Sequence, residues 1–263
     1  MDILDKITAF KRSELEVRKK CFPVNRLEDS LFFKREMPSF HDALAKPGPS
    51  IIGEFKRKSP SYGLININAE IERVARDYEK AGIAAMSILT DKEFFGGSDH
   101  DLRSVAGLVN IPILRKDFIV DEYQVVESKS AGASAILLIA AVLSKKEVSA
   151  FTGLSFNLGM DVLLEIHDEK DLEKMSHKIK IIGVNNRNLK TFKVSMEHAS
   201  LLLPGLPENC LKVAESGFHT YQEVIKLFTA GYDAFLIGGK FMKSKNPGKS
   251  AAAFMKDLKK GTE

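Results

Sequence analysis

The sequence predicts an α/β protein that folds as a closed (β/α)8 TIM barrel, and three observations lead to that prediction. A short pattern, an Ala-Gly pair followed by an apolar run, occurs three times along the chain. Apolar runs of this kind number eight in total, and amphipathic segments alternate with them. The runs are apolar almost throughout, which is typical of parallel strands buried on both faces. The main alternative, an open doubly wound sheet, usually has about five or six strands.

The repeated pattern predicts three of the strands, each preceded by the end of a helix. Its glycines are Gly82, Gly132 and Gly231, and the apolar runs that follow them are residues 87–90, 137–140 and 236–239. A glycine adopts the left-handed conformation that closes a helix at little cost. Five further apolar runs complete the set of strands: residues 51–55, 111–114, 161–165, 179–184 and 211–215.

Amphipathic segments predict the helices between the strands. Several of these segments open with Ser, Thr, Asp or Asn, whose side chains accept hydrogen bonds from the first free amides of a helix. The segment 98–109 fits the helical pattern less well than the others. The predicted helices are residues 68–81, 98–109, 121–131, 144–158, 168–177, 195–203, 220–230 and 246–260.

An extension precedes the barrel, because the first predicted strand begins only near residue 50. Ile3, Leu4, Ile7 and Phe10 share one face of a helix in this extension. We therefore predict a single domain, residues 1–263, in which residues 1–45 form a helical extension over the barrel mouth and residues 50–263 form the barrel. Binding of this helix to a membrane surface is less favoured, because its polar face mixes both charges.

Composition excludes several classes of protein. Lys and Arg number 39 and Asp and Glu 35, and a net charge of +4 does not require a nucleic-acid partner. The longest apolar run, residues 135–143, is far shorter than the roughly 18 residues of a membrane-spanning helix. The two cysteines form no CxxC pair, the N-terminus has no signal-peptide features, and the histidines have no metal-ligand spacing. These features predict a cytoplasmic protein without a metal.

Polar residues concentrate at the carboxyl ends of the predicted strands, where a parallel barrel builds its active site. Side chains alternate in direction along a strand, so a residue two positions after an inward apolar residue also points inward. This rule predicts that five polar side chains converge at one mouth: Glu54, Lys56, Lys116, Glu165 and Asn185. Such charges are costly to bury unless they are paired or used in catalysis. A structural Lys–Glu network is the alternative interpretation.

Glycines follow the last two predicted strands. Gly217 comes after the seventh strand, and Gly238 and Gly239 end the eighth. Backbone amides at these positions of a β/α barrel commonly bind phosphate, helped by the N-terminus of a helix. The glycines therefore predict a phosphate site, with plain turns as the alternative.

Five motifs at the strand ends together resemble the signatures of the indole-3-glycerol phosphate synthase family. They occur in the family's order and span nearly the whole chain: IGEFKRKSPS at 52–61, LTDKEFFGGS at 89–98, LRKDF at 114–118, GVNNRNL at 183–189 and AESG at 214–217. The resemblance implies an enzyme of tryptophan biosynthesis that uses no cofactor and no metal. It would convert 1-(2-carboxyphenylamino)-1-deoxyribulose 5-phosphate to indole-3-glycerol phosphate, with loss of CO2 and water.

The resemblance also implies roles for individual residues. Lys116 matches the family's general acid and Glu165 its base. Lys56 matches the lysine that binds the substrate carboxylate and is a second proposed acid, and Glu54 would orient these lysines. The other matches are Asn185 and Ser216 among the catalytic residues, Ser59, Phe94, Phe118, Arg187 and Glu215 in substrate binding, and Lys56, Gly217, Gly238 and Gly239 in phosphate binding.

Chemistry at this mouth suits an anionic small molecule, and the partner expected is a sugar phosphate rather than a nucleic acid or a membrane. The family's substrate carries a carboxylate and a phosphate, which accounts for two lysines and an arginine at one place. A lysine beside another cation is expected to have a lowered pKa, as suits a proton donor near neutral pH. The expected oligomeric state is a monomer or a weak dimer.

One position departs from the family pattern. After Gly238 the family usually has a small hydroxyl or acidic residue, whereas Gly239 and then Lys240 stand here. One side-chain contact to phosphate is therefore lost. The chain also lacks the fused second barrel of some relatives, which implies a monofunctional enzyme.

Three other functions are the alternatives. A phosphoribosylanthranilate isomerase would need a Cys/Asp acid–base pair at strand ends, and neither Cys21 nor Cys210 lies at such a position. A Schiff-base aldolase would use an inward lysine and would be trapped by borohydride. A non-catalytic barrel that binds a phosphate ligand would need only the glycines, and it leaves the converging lysines and glutamates unexplained.

Overall fold

Eight parallel strands close into a barrel in the computed structural model of the chain, which describes residues 3–188 and 191–262. Each strand pairs with its neighbours in the chain, and the first pairs with the eighth, so the predicted (β/α)8 barrel is confirmed. Residues 1, 2 and 263 of the predicted domain lie outside the described residues. Leu189 of the fourth motif also lies outside them. The strands are Ser50–Phe55, Ala85–Leu89, Ile113–Lys116, Ala135–Ile139, Asp161–Ile166, Ile181–Asn185, Leu211–Glu215 and Ala234–Ile237.

Helices surround the barrel and follow the strands. Gly82 and Gly132 close two of them with φ of 83° and 90°, the left-handed conformation that their position in the repeat predicts. A two-stranded hairpin, Lys58–Ser59 with Gly63–Leu64, lies in the loop after the first strand. The helices are Ile71–Ala81, Lys92–Phe95, Asp99–Val105, Glu122–Ala131, Lys145–Asn157, Met196–Leu202, Tyr221–Ala230, Gly239–Met242 and Pro247–Thr262, with 3₁₀ turns at Ala140–Val142, Glu169–Lys174 and Leu203–Gly205.

Several predicted elements differ from the structure in their bounds or type, among them the eighth strand, predicted at 236–239 and found at Ala234–Ile237, one helix and the third strand. The segment 168–177, predicted as an α-helix, is the short 3₁₀ helix Glu169–Lys174. The apolar residues of this segment, Leu172 and Met175, are three positions apart. Because a 3₁₀ helix has about three residues per turn, both lie on the side that packs against the core. The third strand was predicted at 111–114 but spans Ile113–Lys116. Pro112, just before it, has no amide to donate, although its carbonyl accepts from the amide of Met86.

The N-terminal extension divides between the two ends of the barrel. Its first helix, Ile3–Cys21, buries Leu4 and Ile7 at the mouth, as predicted. The helix Phe40–Leu44 lies at the opposite end, so the prediction that residues 1–45 all dock over the mouth is wrong for this part. The carboxylate of Asp161, the first residue of the fifth strand, accepts from the amide of Phe40 at 2.9 Å and holds the helix there. A third short helix, Val24–Glu28, joins the two.

The barrel interior is a separate apolar cluster inside the ring of strands. Ile52, Leu114 and Leu163 belong to it, whereas their neighbours Ile51, Ile113 and Leu164 face the helices. The inward direction predicted for these strands is therefore confirmed. None of the helices in the two described ranges is long and apolar enough to cross a membrane.

Candidate active site

The carboxyl ends of the strands open into a cavity of about 310 Å³. Leu137, Ile139 and Leu236 of the interior cluster form its apolar base, and Ile3, Leu4 and Ile7 of the first helix line one side. All the predicted site residues line this cavity except Phe94 and Glu215. Those that do are Glu54, Lys56, Ser59, Lys116, Phe118, Glu165, Asn185, Arg187, Ser216, Gly217, Gly238 and Gly239.

Lys116, the last residue of the third strand, lies between two carboxylates. Its Nζ atom is 3.6 Å from Oε2 of Glu165 and 3.6 Å from Oε2 of Glu215. Asn185 donates from Nδ2 to Oε1 of Glu165 at 3.2 Å, which fixes the orientation of that carboxylate. Because 3.6 Å exceeds the length of a good hydrogen bond, the ammonium protons of Lys116 stay available to a substrate.

A second lysine and glutamate pair lies at the end of the first strand. Lys56 donates from Nζ to Oε2 of Glu54. The Glu54 side chain is buried, and burial by itself would raise its pKa, but the positive charges of Lys56 and Lys116 outweigh that effect and hold the pKa below its ordinary value. Glu54 therefore carries a negative charge at neutral pH and fixes the position of Lys56.

The pKa of Lys116 contradicts the expectation of a lowered value. Burial does act to lower it, but the carboxylates of Glu165, Glu215 and Glu54 outweigh burial, and the pKa of Lys116 lies above its ordinary value. The expectation counted the nearby lysine and left out the charges of three carboxylates around the ammonium group. Lys116 is consequently protonated at neutral pH, but the raised pKa makes it a weaker acid than the lowered value would have made it.

Glu215 lies beneath the cavity, with its side chain only 1% exposed. Burial, reinforced by the charge of Glu165, raises the pKa of Glu215 to about 8, and Lys116 offsets only part of this. Within the described part of the chain, neither of its carboxylate oxygens has a hydrogen-bond partner. The resemblance implied a substrate-binding role for Glu215, and the structure places it under Lys116 instead of on the cavity surface.

We expect this raised pKa to make stability fall as pH rises. A carboxyl whose pKa is higher in the folded state than in the unfolded chain loses stability as it ionises, here between its ordinary pKa and about pH 8. Glu215→Gln does not titrate, so the free energy of unfolding of this variant relative to wild type should increase from pH 5 to pH 9. Urea denaturation at both pH values measures the difference. Parallel pH profiles of the two proteins would contradict the raised pKa.

Glycines and a strained serine surround the ends of the seventh and eighth strands. Ser216 has φ of 69° and Gly217 φ of 93°, both in the left-handed region. A Cβ atom on Gly217 would also lie 2.7 Å from a methyl group of Val194, so this position needs glycine for two reasons. Gly238 caps the helix Gly239–Met242, and open space surrounds the Cβ position of Gly239. Lys240 and Lys243, which follow these glycines in the chain, also line the cavity. Neither lysine was predicted from the sequence as a site residue.

The aromatic residues at the mouth differ in part from the prediction. Phe118 and Phe95 line the cavity, with ring centroids 6.1 Å apart. Phe94 is not among the lining residues and packs edge-on against Phe10 of the first helix, with centroids 5.8 Å apart. Phe95 therefore lines the cavity where the sequence predicted Phe94, and the substrate-binding role of Phe94 stays a prediction.

Sequence reasoning missed a buried ionic network behind the site. Lys11 of the first helix contacts Asp91 at 2.8 Å and Asp117 at 3.2 Å, and its side chain is 1% exposed. Arg115, fully buried, contacts Asp117 at 3.2 Å and Glu127 at 2.8 Å. The sequence held one sign of this network. Arg115 is next to Lys116 in the strand, so its side chain must point the opposite way, toward the helices, where a buried charge needs partners.

Cysteines do not contribute to the cavity, which bears on the isomerase alternative. Cys21 is exposed at the end of the first helix, and Cys210 is buried just before the seventh strand. Neither is among the residues that line the cavity. Among the side chains the structure describes, no group of three His, Cys, Asp or Glu is arranged to hold a metal ion.

The fold and the site define an acid–base enzyme of the β/α-barrel class, with a protonated lysine held among carboxylates at the mouth. The chain belongs to the indole-3-glycerol phosphate synthase family, the lyases that form the indole ring in tryptophan biosynthesis, because a sequence model of that family matches residues 4–254. It is 43% identical over 257 residues to the synthase of Bacteroides thetaiotaomicron, covering 98% of this chain and 99% of the relative. The synthase of Variovorax paradoxus is 40% identical over 264 residues, covering 97% and 99%.

Solved structures of low sequence identity share the fold alone. A mandelate oxidase variant superposes with a TM-score of 0.62 at 16% identity, over 81% of this chain and 73% of that chain. A chain of the tryptophan synthase α2β2 complex of Pyrococcus furiosus superposes with a TM-score of 0.58 at 11% identity, over 80% and 97%.

Proposed function

We propose that the chain acts as an indole-3-glycerol phosphate synthase in which Lys116, Glu165 and Lys56 carry the proton transfers. The substrate is 1-(2-carboxyphenylamino)-1-deoxyribulose 5-phosphate, and the products are indole-3-glycerol phosphate, CO2 and water. The observation that carries this assignment is the position of Lys116, whose Nζ atom lies between Glu165 and Glu215 at the cavity. A non-catalytic phosphate-binding barrel has no need for such an arrangement.

Lys116 supports the first step, which closes the ring. The aromatic carbon that bears the carboxylate attacks the ketone, and the ketone oxygen needs a proton as negative charge develops on it. Lys116 is the proposed donor of that proton, because it is protonated at neutral pH and its Nζ atom lies at the cavity, 3.6 Å from each of two carboxylates. Loss of CO2 then restores the aromatic ring.

Glu165 and Lys56 support the second step, which removes water. Glu165 accepts the proton that must leave for the new double bond, and its carboxylate is oriented for this by Asn185. Lys56 donates a proton to the departing hydroxyl group. Glu54 holds Lys56 beside the cavity and stays ionised, so it cannot compete as the donor.

The remaining cavity residues are proposed to bind the two ends of the substrate. The aromatic end packs on the apolar base beside Phe118, with Arg187 and Lys56 near its carboxylate and Ser59 and Ser216 as hydroxyl donors. The phosphate binds the backbone amides of Gly217, Gly238 and Gly239, where the absence of side chains allows close approach. Lys56, which also lines the cavity, is a further proposed ligand of this phosphate.

The direct test of the function is a fluorescence assay for indole-3-glycerol phosphate formation from synthetic substrate. The chain contains no tryptophan, so protein background is low. No product from folded protein would overturn the proposal, and trapping of a lysine by borohydride in the presence of substrate would point to the aldolase alternative.

Glu165→Gln is expected to slow dehydration by at least about 10²-fold, while substrate affinity stays close to that of wild type. The amide is nearly isosteric with the carboxylate but cannot accept the proton, so the ring-closed species should accumulate in quenched-flow samples. Glu169→Gln, an exposed glutamate in the next turn of the chain, is the matched control and should behave as wild type. Weakened binding with intact turnover would make Glu165 a positioning residue instead of the base.

Gly239→Ser is expected to leave KM unchanged, whereas Gly239→Leu should raise KM by up to about 30-fold. The serine fits because open space surrounds the Cβ position, and it restores the residue type usual in the family. The larger leucine would keep the phosphate from the helix N-terminus, whose interaction with an anion contributes about 0.3–2 kcal/mol. Steady-state kinetics compare the two variants. Equal KM for both would place the phosphate elsewhere.

The cellular location and the oligomeric state complete the proposal. Both cysteines are free, which supports a reducing compartment such as the cytoplasm. We propose a monomer or a weak dimer, and sedimentation velocity over a range of protein concentrations distinguishes these from a stable oligomer.

A further inference from the structure

Two glycines at the strand ends occupy positions where a carboxylate of the neighbouring strand lies. A Cβ atom on Gly238 would overlap Oε2 of Glu54 and lie 2.8 Å from its Cδ atom. A Cβ atom on Gly183 would overlap Oε1 of Glu215 and lie 3.3 Å from its Cδ atom. In both cases the two strands are adjacent in the barrel, the eighth beside the first and the sixth beside the seventh.

Backbone conformation does not explain either glycine. Gly238 has φ of −118° and ψ of −62°, and Gly183 lies within a regular strand, so neither is in the left-handed region. Gly217 is different, because its φ of 93° favours glycine whatever the available space. The property that Gly238 and Gly183 share is the space they leave free.

We infer that Gly238 and Gly183 are positioning residues, each leaving the space in which one buried carboxylate of the site lies. With that space filled, the carboxylate of Glu54 would have to move into the cavity, away from its contact with Lys56. Glu215 would likewise move from its place 3.6 Å from Lys116. The inference rests on the proposed function, in which Glu54 orients Lys56, and it gives Gly238 a role besides offering its amide to phosphate.

The test combines each glycine with its carboxylate. Gly238→Ala is expected to lower the single-turnover rate by on the order of 10²-fold, the effect of displacing a group by about 1 Å. Its affinity for inorganic phosphate, measured as a competitive inhibitor, should change much less than this rate, because the added methyl group lies against Glu54 and the amide stays in place. In the Glu54→Ala background the same substitution should have a much smaller further effect on the rate, since the carboxylate is gone and only the Cβ atom of residue 54, at 3.0 Å, still has to shift.

The second glycine provides the matched control. Gly183→Ala should show the same non-additivity with Glu215→Ala, and the coupling energy between Gly238→Ala and Glu54→Ala should exceed that between Gly238→Ala and Glu215→Ala, which act on each other only through Lys116. If Gly238→Ala does not fold alone, Glu54→Ala combined with Gly238→Ala should fold, and failure of that double variant would overturn the inference.

Three outcomes separate this inference from the proposed function. Wild-type turnover in Glu54→Ala would refute the catalytic role of the Glu54–Lys56 pair. Impaired turnover in Glu54→Ala together with full activity in Gly238→Ala would refute only the positioning role of Gly238. Weaker phosphate binding by Gly238→Ala in both backgrounds, with no change in the single-turnover rate, would also refute it and assign Gly238 to the phosphate only.

Discussion

Lys116→Met is expected to slow ring closure by about 10²–10⁴-fold, the range that general acid catalysis contributes. Methionine has nearly the length of lysine, fills the same space and has no proton to donate. Single-turnover formation of indole-3-glycerol phosphate, followed by fluorescence, measures the rate of the chemical steps without product release. Substrate affinity should change less than this rate, because the other cations at the cavity remain.

The size of this effect follows from the surroundings of Lys116. Its Nζ atom is 3.6 Å from the carboxylates of both Glu165 and Glu215. Lys56 cannot replace it without leaving its own contact with Glu54. Removing the ammonium group also removes the main positive charge beside Glu215, so the pKa of Glu215 should rise further in the variant.

Lys129→Met is a suitable control for the loss of a buried lysine. Lys129 lies in the helix Glu122–Ala131 and donates to the backbone carbonyl of Arg35 at 2.9 Å, away from the cavity. This variant should keep the wild-type rate. Retention of more than about a tenth of the wild-type rate in Lys116→Met would exclude Lys116 as the acid of the chemical step.

The inward direction of the site residues could be predicted because the alternation of side chains along a strand is obligatory. With Leu114 and Leu163 in the barrel interior, Lys116 and Glu165 must point toward the mouth. The closed barrel was predictable for a similar reason. Eight buried apolar runs joined by short helical connections leave few other topologies, since parallel crossovers are right-handed.

Features that depend on distant partners could not be predicted from the sequence. Which of Phe94 and Phe95 faces the cavity depends on the angle at which the helix Lys92–Phe95 leaves its cap at Asp91. The place of the helix Phe40–Leu44 depends on Asp161, more than a hundred residues later in the chain. The pKa of Lys116 depends on its distances from three carboxylates, which the sequence names but does not measure.

Lys11→Met is expected to lower the free energy of unfolding by about 3–5 kcal/mol, the usual effect of removing one partner from a buried ion pair. Lys11 joins the first helix to the second and third strands through Asp91 and Asp117. Burial by itself would lower the pKa of Lys11, but the charges of these two aspartates raise it above its ordinary value, so the contact is ionic at neutral pH. Urea denaturation measures the loss, and KM should also rise, because the same helix lines the cavity.

A compensating substitution separates the loss of charge balance from the loss of packing. Asp91→Asn in the Lys11→Met background removes the buried charge that has lost its cation, whereas Asp117 keeps its contact with Arg115. The asparagine oxygen can still accept the cap hydrogen bond from the amide of Phe94. The double variant should therefore recover part of the lost stability. Lys20→Met, an exposed lysine on the same helix, should change stability by no more than about 0.5 kcal/mol. If Lys11→Met matched Lys20→Met, the first helix would be held by Leu4, Ile7 and Leu15 and not by its buried lysine.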